Sequence, residues 1–184
     1  MSKLVVFYGS PRPDGFTARL LDQVAAGAAA AGAEVIRYDL NDPAVLGCQG
    51  CRWCRTHDGC ATQDALQPMY RDIAEADGIA AGFPIYFMGI SGQGKRWLDR
   101  LFPFADAQMR PRHPGKKAVT VYAQGNPDAK LFQSAMATTD RCLTMMGWTV
   151  LRRFHICGTN APDTVIPSEM LDAAFEAGRQ LVTK

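Results

Sequence analysis

The chain has 184 residues, of which 47% are hydrophobic and 21% charged, and its formal net charge is +2. This length and composition predict one globular domain with a buried core, and the low charge gives no electrostatic reason to expect nucleic acid or an anionic membrane as a partner. No stretch reaches the roughly 18 apolar residues of a membrane span, and the short apolar run after Met1 lacks a signal-peptide cleavage site. We therefore expect a cytoplasmic protein with reduced cysteines.

Apolar runs and helical patterns alternate along the chain, which is typical of an α/β sheet with helices on both faces. The apolar runs predict strands over residues 3–9, 34–40, 78–83, 117–123 and 149–157. The helical patterns predict helices over residues 16–31, 64–76, 95–102, 129–146 and 168–182. The second helix begins with an Asp64-x-x-Gln67 capping pattern, and the last has Ser168 as its predicted cap. Three prolines between 103 and 115 predict an irregular excursion.

The first and third predicted strands are almost wholly apolar, as buried parallel strands are. Ligands bind such sheets beyond the carboxyl ends of the strands, so the segments after the strands are the candidate sites. The segment after the first strand predicts a phosphate site. It combines the start of a helix with the hydroxyls of Ser10 and Thr17 and the guanidinium of Arg12. The alternative is an ordinary strand-to-helix turn in which Ser10 and Thr17 act only as caps.

The segment after the third strand, residues 84–88, carries Tyr86 and Phe87, whereas loops are normally polar. Such side chains would line a flat apolar ligand; alternatively, they pack beneath the excursion or against another subunit. Residues 89–95 match the phosphate-loop pattern G-x-x-x-x-G-K, but Arg96 occupies the position of the magnesium-binding Ser or Thr. Nucleotide triphosphate hydrolysis is therefore not predicted.

Four of the six cysteines lie within 13 residues, in the pattern C-x2-C-x2-C-x5-C. They are Cys48, Cys51, Cys54 and Cys60. Short gaps let successive thiolates turn toward one point, so the pattern predicts a metal or redox centre, either an iron–sulfur cluster or a zinc ion. His57 lies inside the segment and could replace one ligand in a zinc site. Cys142 and Cys157 are expected to be small buried apolar residues, and no role is assigned to His113 or His155.

Taken together, these segments resemble the flavodoxin-like NAD(P)H-dependent FMN reductase superfamily and, within it, the iron–sulfur flavoproteins. The matching pieces follow in order over residues 3 to about 125: Gly9-Ser10-Pro11-Arg12, Gly15-Phe16-Thr17, the cysteine run with Asp64, Glu75-Ala76-Asp77-Gly78-Ile79, Pro84-Ile85-Tyr86-Phe87 and Lys95-Arg96-Trp97-Leu98-Asp99-Arg100. The resemblance implies one flavodoxin-like domain over residues 1–184, a three-layer sandwich around a five-stranded parallel sheet in the order 2-1-3-4-5. The cysteine-rich loop would occupy residues 47–63 and the proline-rich excursion residues 103–115.

The resemblance also implies an FMN site and assigns residues to it. Around the phosphate it places Ser10, Arg12, Phe16 and Thr17. Along the isoalloxazine ring it places Pro84, Ile85, Tyr86, Phe87 and Met88, and in a further contacting loop Gly125 and Asn126. In iron–sulfur flavoproteins a similar cysteine run holds a 4Fe–4S cluster, which here implies as ligands Cys48, Cys51, Cys54 and Cys60.

These features predict an FMN-dependent oxidoreductase or electron-transfer flavoprotein, in which the flavin does the chemistry and no protein acid or base is assigned. The donor would be NAD(P)H or a reduced carrier such as ferredoxin, and the acceptor flavin, a quinone or a similar small molecule. The alternative is a zinc-stabilised binding or regulatory domain without redox catalysis. We also expect a homodimer or homotetramer. Unless the excursion folds back over them, the apolar side chains near the subunit contact would be Trp97, Leu101, Phe102 and Phe104.

Overall fold

The computed structural model describes residues 1–183 and is built around one six-stranded sheet. The parallel strands are β1 Lys3–Tyr8, β2 Glu34–Asp39, β3 Gly78–Tyr86, β5 Lys117–Ala123 and β6 Thr149–Ile156. Their order is β2-β1-β3-β5-β6, which confirms the predicted order of five parallel strands. The additional strand β4, Gly89–Ile90, pairs antiparallel with the end of β3. Two residues are too few to carry a periodic pattern that would indicate β4 in advance.

Helices cover both faces of the sheet, which confirms the three-layer sandwich. They are α1 Phe16–Ala30, α2 Gln67–Glu75, α3 Gly92–Asp99, α4 Gln133–Met145 and α5 Ser168–Val182. α1 and α5 share one apolar core with the sheet, while α2, α3 and α4 share the other. α1 and α5 approach so closely at Gly27 and Gly178 that an added Cβ would collide with the backbone of the facing helix. None of the helices described over residues 1–183 is long and apolar enough to cross a membrane.

α3 begins at Gly92 rather than at residue 95, because tertiary contacts override helix propensity. Ser91 is its N-cap and accepts a hydrogen bond at Oγ from Gly94 N at 3.2 Å. Glycine disfavours a helix, but Gly94 packs against the Phe83 ring so closely that any Cβ would collide with it. The close packing of α3 on β3 therefore explains Gly94, and the Ser91 cap explains the early start of the helix.

Other boundaries also differ from the predicted ones. The phosphate-loop pattern at residues 89–95 is divided between β4 and α3 and forms no loop. The predicted Ser168 cap is wrong, because Pro167 holds the cap position and no side chain caps α5. α4 begins at Gln133, later than predicted, because Asp128 directs the chain into turns through hydrogen bonds to the following N–H groups.

The proline-rich excursion at residues 103–115 folds back on its own subunit, where Trp148 Nε1 donates to His113 O at 3.0 Å. Three of the four side chains predicted at a subunit contact are at most 3% exposed: Trp97, Leu101 and Phe104. Phe102, the fourth, is 41% exposed. The predicted contact through the first three is therefore wrong, since burial within one chain already explains their helical spacing.

A buried ion pair closes the loop that carries the four cysteines. Arg100, which follows α3, donates from Nη1 to Asp64 Oδ2 at 2.7 Å and from Nη2 to Asp64 Oδ1 at 2.9 Å, and both side chains are at most 1% exposed. The same guanidinium donates to the carbonyls of Leu46 and Thr62. Asp64 in turn accepts from the N–H groups of Leu46 and Leu66. Both ends of the loop are thus held at one point.

The ion pair also sets the ionisation of Asp64. Burial alone would raise the pKa of this carboxyl, but the Arg100 charge and the N–H groups of Leu46 and Leu66 outweigh burial, so the pKa of Asp64 lies below its ordinary value. A carboxyl whose pKa falls on folding stabilises the fold above its unfolded pKa, and this contribution is lost as the pH falls through the folded pKa. Acid below about pH 4 therefore begins to weaken the loop closure.

Asp64→Asn should lower the free energy of unfolding by about 3–5 kcal/mol at pH 7, because Arg100 is left as a buried charge without its counter-ion. Urea denaturation measures the loss. Asp99→Asn is the control, since it removes one partner of the exposed Lys95–Asp99 pair and should cost no more than about 1 kcal/mol. Equal losses in the two variants would contradict the structural role of the buried pair.

Candidate functional site

A cavity of about 270 Å³, here called the edge cavity, lies at the carboxyl ends of β1, β3 and β5. It is lined by Ser10, Arg12, Gly15, Phe16, Thr17, Pro84, Ile85, Tyr86, Phe87, Ala123, Gly125, Thr159 and Asn160. The edge cavity brings together every predicted cofactor-binding residue except Met88 and Asn126. Its further members, which carry no sequence-based assignment to the cofactor, are Gly15, Ala123, Thr159 and Asn160.

The loop after β1, residues 9–15, presents a helix N-terminus to the edge cavity. Ser10 Oγ accepts from Arg12 N at 3.1 Å, and Arg12 O accepts from Gly15 N at 3.2 Å, which fixes the turn. α1 then begins without a side-chain cap and without an acidic residue in its first turn. Its first N–H groups and the exposed Arg12 guanidinium are therefore suited to an anion such as phosphate.

The β3–β4 hairpin forms the apolar wall of the edge cavity. Phe87 and Met88 make a two-residue turn at φ of 42° and 75°, a left-handed conformation that costs residues other than glycine about 1–2 kcal/mol each. Tyr86 is 45% exposed, and Phe87 is fully exposed. Met88 belongs to the turn but does not line the cavity. Backbone strain combined with exposed aromatic side chains is typical of a segment kept for binding.

Ser91 holds the hairpin against the loop after β1. Its buried hydroxyl donates to Gly9 O at 2.6 Å, while Ser91 N donates to Pro84 O at 2.9 Å. Because the same hydroxyl caps α3, the Ser91 side chain fixes the β3–β4 hairpin and the loop after β1 relative to this helix. Sequence reasoning missed Ser91; the available signal was a serine placed just before a short helical pattern.

A buried amide shapes the loop after β5. Gln124 Nε2 donates to the carbonyls of Asn126 and Asp128, each at 2.8 Å, so its Oε1 must accept from His155 Nε2, also at 2.8 Å. Burial and the charge of Arg153 lower the pKa of His155, which favours the neutral imidazole. Asn126 Oδ1 accepts from Asp128 N. Asn126 therefore shapes the loop instead of lining the cavity.

Gly125 and Asn160 form one side of the edge cavity. The Asn160 amide lies so close to Gly125 that a Cβ there would collide with it. Thr159 N donates to Gln124 O at 3.0 Å, which holds the loop after β6 against the loop after β5. Sequence order hides this pairing because α4 and β6 separate the two loops, and Thr159 and Asn160 carry no motif of their own.

The four loop cysteines line a second cavity, of about 230 Å³, here called the cysteine chamber. Its other lining residues are Gln49, Gly50, Arg52, Trp53, Ala61, Asp99, Arg100, Phe102 and Pro103. All four predicted ligands therefore share one space. Over residues 1–183, no three Cys, His, Asp or Glu side chains are grouped closely enough to hold a single metal ion. His57 does not line the chamber but stacks on Trp53, with ring centroids 3.5 Å apart.

The environment of the chamber favours a thiolate at Cys60. Burial opposes ionisation of this thiol, but hydrogen bonds from Thr62 and the charge of Arg100 outweigh burial, so the pKa of Cys60 is lowered. Cys142 and Cys157 are only partly buried, which corrects the prediction that they are buried small apolar residues. Burial nevertheless raises the pKa of both thiols. Ionisation to the thiolate is thus favoured at Cys60 and disfavoured at Cys142 and Cys157.

α3 connects the two cavities. Ser91 caps its start beside the edge cavity, while Asp99 and Arg100 line the cysteine chamber at its other end. Arg96, on the same helix, donates from Nη1 to Val45 O at 2.7 Å and anchors the start of the cysteine loop.

Three comparisons place the chain among known proteins. The family described as NADPH-dependent FMN reductase matches residues 2–159. An iron–sulfur flavoprotein of Methanocaldococcus jannaschii is 33% identical over 132 residues, which cover 71% of this chain and 68% of the relative. An iron–sulfur flavoprotein of Archaeoglobus fulgidus is 29% identical over 185 residues, which cover 99% of this chain and 78% of the relative.

Solved structures confirm the fold. The NAD(P)H:quinone oxidoreductase from Methanothermobacter marburgensis superposes with a TM-score of 0.70 at 20% identity, over 98% of this chain and 96% of the other. At this identity the likeness concerns the fold alone. Together with the strand order, it confirms the flavodoxin-like architecture that the sequence predicts.

Proposed function

The chain belongs to the NADPH-dependent FMN reductase family and is an FMN-dependent oxidoreductase, and we propose that it transfers electrons between bound FMN and a 4Fe–4S cluster held by its own cysteines. One observation carries this proposal. Nine of the eleven predicted flavin-binding residues line one cavity, and the four cysteines line another. α3 runs from its Ser91 cap beside the first cavity to Asp99 in the lining of the second. The relatives named iron–sulfur flavoproteins support the pairing of the two groups.

The edge cavity fits both ends of FMN. The N-terminus of α1, with Ser10, Arg12 and Thr17, would hold the phosphate, because N–H, hydroxyl and guanidinium groups are favourable phosphate partners. The wall containing Tyr86 and Phe87 would line the ring. FMN, when bound, supplies hydride and one-electron chemistry. The protein therefore has to bind, orient and shield, and none of its side chains is assigned a proton-transfer role.

The arrangement of the cysteines favours a cluster over zinc. Zinc lies about 2.3 Å from each thiolate, which requires neighbouring sulfurs about 3.8 Å apart. In the described chain, residues 1–183, the thiols instead surround a chamber of about 230 Å³ and form no group suited to one ion. Four thiols around such a space suit a multi-atom core, whose ligands would be Cys48, Cys51, Cys54 and Cys60. A reducing compartment such as the cytoplasm would keep these thiols available, so we place the protein there.

The proposed donor is supported by the family description, and the proposed acceptor class is supported by the exposed part of the edge cavity. A nicotinamide donor is consistent with the family description, and a reduced carrier of the ferredoxin type could instead supply single electrons to the cluster. The exposed rings of Tyr86 and Phe87 offer an apolar surface beside the flavin. A quinone, free flavin or a similar small ring molecule is the acceptor class that such a surface favours.

Arg12→Ala should weaken FMN binding about ten- to 150-fold, because it removes a charge-assisted phosphate contact worth roughly 1.5–3 kcal/mol. Fluorescence titration of apoprotein with FMN measures the dissociation constant. Arg141→Ala, at an exposed arginine on α4 outside the edge cavity, is the control and should leave affinity unchanged. Unchanged affinity in Arg12→Ala would remove the phosphate assignment from this loop.

Cys51→Ser should abolish stable iron binding and leave FMN binding intact, because the cysteine chamber and the edge cavity have no lining residue in common. Iron and FMN are counted per chain after anaerobic purification. Cys142→Ser is the matched control, since this cysteine lies on α4 outside the chamber. Bound zinc in the wild type would argue against the cluster and for the zinc-stabilised alternative. Full iron retention in Cys51→Ser would argue that other residues are the ligands.

We further propose that the protein is at least a homodimer, assembled through the exposed apolar side chains of the β3–β4 hairpin. Tyr86, Phe87 and Met88 are 45% exposed or more, and such apolar surfaces usually mark an interface. Light scattering should give a mass of about 40 kDa or more, at least twice that of the 20.1 kDa chain. Phe87→Ser should shift the mass toward that of the monomer. A monomer at micromolar wild-type concentration would refute the proposal.

A further inference from the structure

Arg55 fixes a positive charge between the cysteine loop and the excursion. Its Nη1 donates to Asp106 O at 2.7 Å, and its Nη2 donates to Phe102 O and Ala105 O, each at 2.8 Å. The guanidinium carbon also lies 3.8 Å from the centroid of the Phe102 ring. Three backbone carbonyls and one ring therefore hold this side chain in a single orientation.

The fixed guanidinium lies against one of the four chamber cysteines. Arg55 Nη2 is 3.9 Å from Cys54 Sγ, while the remaining contact of Nη1 is to Met109 Sδ at 3.5 Å. Within residues 1–183, Arg55 makes no ion pair with a carboxylate, so its neighbours leave the charge uncompensated. Arg100, which lines the chamber itself, differs in this respect, because Asp64 neutralises its charge.

We propose that Arg55 is a positioning residue that raises the reduction potential of the cysteine centre, an inference that rests on the cluster proposed above. Reduction of a cluster by one electron adds one negative charge to it. A fixed cation beside a ligand sulfur stabilises that added charge, and the potentials of iron–sulfur centres depend on local charge and on hydrogen bonds to sulfur. An arginine keeps its charge at every pH that a folded protein experiences, so the effect is permanent.

A charge effect and simple anchoring of the loop make different predictions for two substitutions. Arg55→Lys keeps the charge but cannot reproduce the planar fork that binds three carbonyls. Arg55→Gln removes the charge but retains an amide that can donate hydrogen bonds. If charge is what matters, the potential stays near that of the wild type in Arg55→Lys and falls in Arg55→Gln. If anchoring is what matters, the two variants change together.

The experiment is an anaerobic titration of holoprotein with dithionite and redox mediators, with cluster reduction followed by electron paramagnetic resonance. At the wild-type midpoint potential, the ratio of reduced to oxidised cluster should be at least about fivefold lower in Arg55→Gln than in the wild type. This is the effect expected from one unit charge at about 4 Å in water. Arg179→Gln is the control, because this exposed arginine lies on α5, across the sheet from the chamber. It should leave the midpoint unchanged.

A second pair of variants applies if Arg55→Gln fails to hold iron. Met109→Glu places a carboxylate beside Arg55 without removing the anchor, and Met109→Gln is its uncharged match. The proposal predicts a lower potential in Met109→Glu than in Met109→Gln. Two outcomes would overturn the proposed role of Arg55 and leave the cluster proposal intact. One is an unchanged potential in iron-loaded variants, and the other is an equal shift in Arg55→Lys and Arg55→Gln. Wild-type protein that binds no iron would refute the cluster, and this inference with it.

Discussion

The ion pair between Asp64 and Arg100 fixes the shape of a segment that has little else to fix it. The cysteine loop contains three glycines and a short turn of helix, and most of its side chains are exposed, so it has no apolar core of its own to offset the entropy of ordering. The buried guanidinium of Arg100 donates hydrogen bonds to acceptors at both ends of the loop. Bidentate geometry and the surrounding backbone groups meet the hydrogen-bonding needs of the pair, which makes its burial tolerable.

The position of Arg100 directly after α3 links this closure to the side of the molecule that carries the edge cavity. At the other end of α3, Ser91 caps the helix and bonds to the loop after β1, while Gly94 packs on Phe83. One short helix therefore sets the positions of the β3–β4 hairpin, the loop after β1 and the cysteine loop. Sites held by rigid elements in this way keep their geometry better than sites carried by free loops.

Local patterns predict the strands, their order and the loops that meet at the carboxyl edge, because the apolar runs of β1 and β3 and the alternation with helices lie within short windows. Contacts between distant segments could not be predicted. Asp64 and Arg100 are far apart in the chain, and Asn160 meets Gly125 only after β6 is in place. The helical spacing that suggested a subunit contact at Trp97 instead reflects packing of its ring against Phe7 and Phe83 of the sheet. Asn126 and Met88 sit in the predicted loops, but hydrogen bonding and turn geometry keep them out of the cavity lining.

Electron uptake by the native protein tests most directly the central claim that one chain carries both a flavin and a cluster. FMN accepts two electrons and a 4Fe–4S cluster one, so an anaerobic titration with dithionite should consume about three electrons per chain and bleach both chromophores. Uptake of about two electrons by a protein with flavin absorption alone would contradict the claim and leave the cysteine chamber without a redox role.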